Sequence, residues 1–260
     1  MELEGKVAMV TGGSRGIGAG IVRALLSAGA NVAFLGRSKE KGEAFMAELN
    51  LPEKTMFAAG SVLVTEDIHS AIDDTVERFG RLDILVNNAG GSTVALAPAA
   101  EIEEEAWEED LRFSLTSTFL ATKRALKYML PQSYGTIVNI SSVEGKQGAP
   151  IMSCYCAAKH GVNGFTKAVA AEVGRSGITI NSICPGLIIT DAITEGGPNL
   201  AAEMGITFEE MVNDVFKAKT QTGELNTVEQ IGAMAVFLSS ESGRGITGQQ
   251  ISVDAGLSTY

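Results

Sequence analysis

A chain of 260 residues with 45% apolar residues and 30 glycines is long enough to bury a substantial core, as one large domain or two small ones. A net charge of −11 argues against a nucleic-acid partner, and three cysteines with two histidines argue against a disulfide framework and against a metal site. Apolar runs are short and interrupted, which argues against a membrane span, and the start MELEGKV lacks the pattern of a secretory signal, so the cytoplasm is the expected location.

Lys6–Val10 (KVAMV) reads as a strand and runs directly into Thr11–Gly18 (TGGSRGIG). An apolar helical pattern from Ile17 through Leu26 stops at Gly29, and Asn31–Leu35 is the next strand. A glycine-rich turn between a strand and a helix, within about thirty residues, is the dinucleotide-binding arrangement. Gly12, Gly16 and Gly18 let the backbone approach a pyrophosphate, and the helix N-terminus offers unpaired N–H groups. The end of the second strand chooses between nicotinamide cofactors. An acid there binds a ribose 2′-hydroxyl, but Gly36-Arg37-Ser38 is followed by no acid until Glu40. Gly36 leaves room and Arg37 offers a guanidinium fork suited to a 2′-phosphate. NADP(H) is therefore expected, with NAD(H) left open.

Ser38–Leu49 reads as a helix, Thr55–Ala59 as a third strand and Ile68–Phe79 as an amphipathic helix. Leu82–Val86 is a buried strand ending in Asn87-Asn88-Ala89-Gly90, and the acidic run Glu101–Asp110 reads as a solvated helix face. Trp107–Met129 is predicted as one long helix and Thr136–Ile140 as a strand, with Ser142 just past its end. Tyr155 and Lys159, four apart among small residues, fall on one helix face one turn from each other. A tyrosine, an ammonium and a hydroxyl are the parts needed to move a proton onto or off a carbonyl oxygen. The cation is expected to bring the phenol down from about 10, and Ser142 to stabilise charge developing on the oxygen.

The helix continues to roughly Val173 with Ala157, Ala158, Gly161, Gly164 and Ala168, which suits close packing against another helix. Cys154 and Cys156 flank Tyr155 and read as small packing residues. Ile178–Ile183 is a strand, and residues 191–227 then break the alternation, with a glycine-proline break (GGPNL) and a helical pattern over Phe208–Lys217. That segment is long for an idle connection. Thr227–Leu238 is a helix and Gln250–Val253 the last strand. Strands and helices alternate without a linker, which predicts an α/β fold over residues 1–260: one doubly wound, Rossmann-type parallel sheet with helices on both faces.

These motifs, in this order, resemble the short-chain dehydrogenase/reductase family along nearly the whole chain. The resemblance implies that Ser142, Tyr155 and Lys159 are the catalytic serine, tyrosine and lysine of an oxidoreductase interconverting a ketone and a secondary alcohol. Cofactor contacts are implied from Gly12, Ser14, Arg15, Gly16, Ile17 and Gly18, with Arg15 as the second basic residue of NADP-preferring members. Further contacts are implied from Arg37 and Ser38, from Ser61 and Val62, and from Asn88, Ala89 and Gly90, besides Tyr155 and Lys159. Pro185, Gly186, Ile188 and Thr190 match the nicotinamide-end motif. Residues 191–227 match the mobile substrate lid, and a homo-oligomer, tetramer or dimer, is implied as well.

Besides Ala255, which stands where a glycine is common near the C-terminal end, two site positions depart from the family pattern. Ser61 stands where an aspartate usually bonds adenine and is expected to make a weaker contact. Ser114 stands where an asparagine is the fourth catalytic member and is expected to hold its water less rigidly. The lid and TVEQIGAMAVFLSS faintly resemble 3-hydroxybutyrate dehydrogenases, so an NAD-dependent hydroxy-acid dehydrogenase is one alternative. A non-enzymatic cofactor sensor or scaffold, suggested by Ser61 and Ser114, is the other.

Overall fold

Among the described residues, short runs of β-branched and apolar residues form seven strands, and those at the centre are buried on both faces, as a covered parallel sheet requires. The computed structural model describes residues 1–92 and 97–258. The strands are β1 (Val7–Thr11), β2 (Asn31–Gly36), β3 (Thr55–Ala59), β4 (Ile84–Asn87), β5 (Gly135–Ile140), β6 (Ile178–Pro185) and β7 (Gln250–Val253). All pair in parallel, in the order β3-β2-β1-β4-β5-β6-β7.

The pleat sorts side chains between two cores. Ala8, Val10, Val32, Phe34, Ile84, Val86 and Val138 meet α1 (Gly16–Ser27) and α9 (Val228–Ser239) on one face. Met9, Ala33, Leu35, Leu85 and Ile137 meet α3 (Thr65–Phe79), α5 (Ser117–Gln132) and α6 (Ser153–Val173) on the other. The helix α2 (Lys39–Leu49) begins at Ser38, whose hydroxyl accepts from the Lys41 N–H. From β1 the chain builds outward to β3 and then returns to place β4 on the other side of β1. The order thus reverses between β1 and β4, which opens a crevice beyond their carboxyl ends.

Two elements differ from the sequence expectation. The predicted single helix over 107–129 is α4 (Glu104–Leu111), a π-type turn at Arg112–Thr116, and α5. One extra residue in the turn leaves the apolar period almost intact, so the pattern does not betray it. The expected glycine-proline break is absent: α7 (Asp191–Glu203) runs through Gly196, Gly197 and Pro198. Pro198 lies on the exposed side, so the carbonyl deprived of its donor can turn to solvent. The single turn α8 (Phe208–Glu210) is capped by Thr207 and continues through a π-type turn, Met211–Phe216, to Lys217–Lys219. No helix of the described residues is long and apolar enough to cross a membrane.

Candidate active site

At the β1–β4 reversal lies a cleft of about 270 Å³, with the glycine turn at one end and Tyr155 and Lys159 at the other. Gly12 and Gly16 have φ of +65° and +53°, values that side chains rarely adopt. A Cβ at Gly18 would stand 2.1 Å from the Gly12 carbonyl oxygen, so only glycine lets α1 start this close to the turn. The turn is tied to the β4 end. Asn88 Nδ2 donates to the carbonyls of Thr11 at 2.9 Å and Gly12 at 3.1 Å, and Thr11 Oγ1 accepts from the N–H groups of Asn88 and Ala89. Arg15 and Arg37 are exposed at the rim of the cleft and form no ion pair among the described residues. The Arg37 guanidinium reaches over the Phe113 ring, 5.9 Å from its centroid. This cradle of backbone N–H groups and free guanidinium groups fits a dinucleotide.

Ser142 ends the loop after β5 and is buried, and its Oγ accepts from the Glu144 N–H at 3.1 Å. Tyr155 and Lys159 sit on consecutive turns of α6, with the Lys159 ammonium 5.6 Å from the Tyr155 ring centroid. The ammonium donates to the Ile140 carbonyl at 2.9 Å. The expected depression of the phenol is not found. Burial pushes Tyr155 up, and its hydrogen bond with Ser142 offsets only part of that. Burial also brings Lys159 down to about 8. Desolvation disfavours both charged forms and is the largest cause of each shift.

Ser114 lies on the π-type turn, and its hydroxyl closes onto the backbone of one residue. It accepts from the Gly91 N–H and donates to the Gly91 carbonyl, both at 3.0 Å. Its single proton is therefore committed to backbone rather than to the water contact expected of it. One turn earlier, Asp110 accepts from the Ser92 hydroxyl at 2.8 Å, so the two residues clamp the strand end together. A Cβ at Gly90 would stand 3.1 Å from Lys159 Nζ and 3.2 Å from Ser114 Oγ, which puts both groups against the same glycine.

The cleft gathers Gly12, Arg15, Gly16, Ile17, Gly18, Arg37, Asn88, Ala89, Gly90, Tyr155, Lys159 and Thr190. Other expected contacts fall outside its lining. Ser14 faces a neighbouring groove, and Ser38 caps α2. The Ser61 hydroxyl accepts from the Leu63 N–H while the Ser61 N–H donates to Asp67, so the residue ties its own loop together, and Val62 is core. Pro185 belongs to β6, Gly186 packs on Asp254, and Ile188 is core, leaving Thr190 to reach the cleft. Sequence reading missed Phe113, Ile140, Ser141 and Asp191 in the lining, which carry no motif of their own.

A family model described as short chain dehydrogenase matches residues 6–200. The chain belongs to the short-chain dehydrogenase family. Similar relatives include a D-beta-hydroxybutyrate dehydrogenase of Rhizobium meliloti (strain 1021), 35% identical over 258 residues, covering 96% of this chain and 98% of the relative. A 3-oxoacyl-(acyl-carrier-protein) reductase of Aquifex aeolicus (strain VF5) is 34% identical over 259 residues and covers 99% of both chains. Among solved structures, a variant actinorhodin polyketide ketoreductase with NADPH superposes with a TM-score of 0.92 at 33% identity, covering 98% of each chain. As a short-chain dehydrogenase the protein is an NAD(P)-dependent oxidoreductase acting on CH–OH groups of small molecules. That membership overturns the sensor or scaffold alternative.

Proposed function

We propose that this short-chain dehydrogenase reduces a ketone to a secondary alcohol with NADPH, using Ser142, Tyr155 and Lys159. The observation that carries the reading is the pairing of ends in one cleft. Tyr155 and Lys159 line one end, with Ser142 hydrogen-bonded to Tyr155, and two arginines with no ion pair among the described residues and no acid before Glu40 stand at the other. The likeness to a ketoreductase solved with NADPH and to a 3-oxoacyl reductase supports it.

A bound nicotinamide supplies the hydride. The glycine turn and the α1 N-terminus hold the pyrophosphate through backbone N–H groups, and Arg15 and Arg37 take the 2′-phosphate. The Ser142 hydroxyl donates to the substrate oxygen and Tyr155 gives that oxygen its phenolic proton. A phenol raised by burial stays protonated at neutral pH, which suits an acid and hence the reductive direction. Lys159 holds positive charge beside the phenolate that proton transfer leaves. Residues 191–227 act as the lid over the substrate, and the outer faces of α5 and α6 join copies of the chain.

The likeness to hydroxybutyrate dehydrogenases favours a second reading, oxidation of a hydroxy acid with NAD. Calorimetric titration with NADPH and NADH side by side separates the two. NADPH should bind at least about tenfold more tightly, one charge-assisted contact being worth that much, and Arg37→Asp should erase the preference. Tighter binding of NADH to the unmodified protein would overturn the NADP assignment.

A further inference from the structure

Glu144 lies two residues past Ser142, in the short 3-10 turn Val143–Gly145, and is half-buried. Its N–H donates to Ser142 Oγ at 3.1 Å, which fixes the residue beside the hydroxyl assigned above to the substrate oxygen. Its side chain turns toward α6, where Oε2 lies 4.0 Å from the Sγ of Cys156, the residue after Tyr155. Its charge reaches the Tyr155 phenol and raises it. The polar groups facing it are the Gln147 side chain, which hydrogen-bonds it, the Cys156 thiol, His160 one turn further along α6, and Lys219 at the end of the 208–219 helical segment. Glu144 forms no ion pair with either cation among the described residues. Burial pushes its carboxyl up, as expected of an acid without a paired cation.

A negative group on the turn that holds Ser142 Oγ, with its charge felt at the Tyr155 phenol, is one that a substrate oxygen bound between Ser142 and Tyr155 would meet. A second carboxylate near the carbonyl would face like-charge repulsion in partly desolvated surroundings, whereas a hydroxyl would find an acceptor. Resting on the Ser142–Tyr155–Lys159 reading, we propose that Glu144 is a specificity-determining residue that rejects keto and hydroxy acids and admits neutral ketones, favouring those with a hydrogen-bond donor near the carbonyl. The chain would then differ in substrate charge from the hydroxybutyrate dehydrogenases it resembles.

Acetoacetate and its ethyl ester test this, because they share the reacting carbonyl and differ in charge. With NADPH-loaded protein, kcat/KM for the ester should exceed that for the acid by at least about tenfold. Glu144→Gln should collapse the ratio toward one, chiefly by lowering KM for the acid. The same variant should move the pH midpoint for oxidation of the matching hydroxy ester downward, since it removes a negative charge from beside the phenol. If neither probe is turned over but another neutral ketone is, the same ratio is read from their inhibition constants against that ketone. A ratio near one in the unmodified protein, or a ratio that Glu144→Gln leaves unmoved, overturns the inference and leaves the reductase reading standing. Failure to reduce any neutral ketone would instead bring down the reductase reading.

Discussion

Lys159 shows most directly how a side chain's setting changes its chemistry. The residue is 4% exposed, and its ammonium donates to the Ile140 carbonyl and is brought down to about 8 by burial. The folded value lies below the unfolded one, so the charged form costs the fold free energy at neutral pH. Stability should rise with pH between about 8 and 10.5, where the unfolded chain keeps a proton the native protein has lost. For catalysis the sign is opposite, because the useful charge disappears over that window. Reduction should therefore decline as pH rises through about 8, and Lys159→Met should run far slower without that limb. A pH profile of kcat/KM checks this; a flat profile to pH 10 would contradict it. The spacing of Tyr155 and Lys159 made their shared face legible in the sequence. The direction of the phenol shift was not, because it depends on burial by distant parts of the chain.

Among the elements, α6 and the turn before α5 carry most of the site. A buried polar chain seats α6 on the sheet: Asn87 Nδ2 donates to Asn139 Oδ1 at 2.8 Å, Asn139 Nδ2 to Thr166 Oγ1 at 2.8 Å, and the hydroxyls of Thr166 and Ser182 meet at 2.8 Å. This network fixes Tyr155 and Lys159 relative to β5, yet nothing in the apolar strand patterns announced Asn139 or Ser182. The π-type turn carrying Ser114 was equally silent, as were the loop hydrogen bonds of Ser61. On the opposite side, Phe119 of α5 is 43% exposed and stacks edge-on against Phe165 of α6, with ring centroids 6.2 Å apart. This exposed Phe119, packed on half-buried Phe165 across α5 and the small-residue helix α6, marks the face proposed to join copies of the chain. Light scattering should find a dimer or tetramer, and Phe119→Glu should shift it toward monomer. A monomeric unmodified protein would rule the interface out.

The whole molecule was the most legible scale. The alternation of strands and helices predicted the doubly wound sheet, and the glycine turn and Asn87–Gly90 marked the two strand ends that meet where the strand order reverses. Strand order itself is a tertiary property, and it brings Tyr155, with Ser142 hydrogen-bonded to it, and Lys159 to the same crevice as Arg15 and Arg37 across more than a hundred residues of sequence. The central claim is that this crevice reduces ketones with Tyr155 as the acid. The most direct measurement is NADPH-dependent ketone turnover by Tyr155→Phe, with NADPH affinity measured on the same preparation. Turnover should fall by about 100- to 10,000-fold, the usual worth of a positioned acid, while affinity stays within a few-fold. Near-normal turnover in that variant would contradict the account.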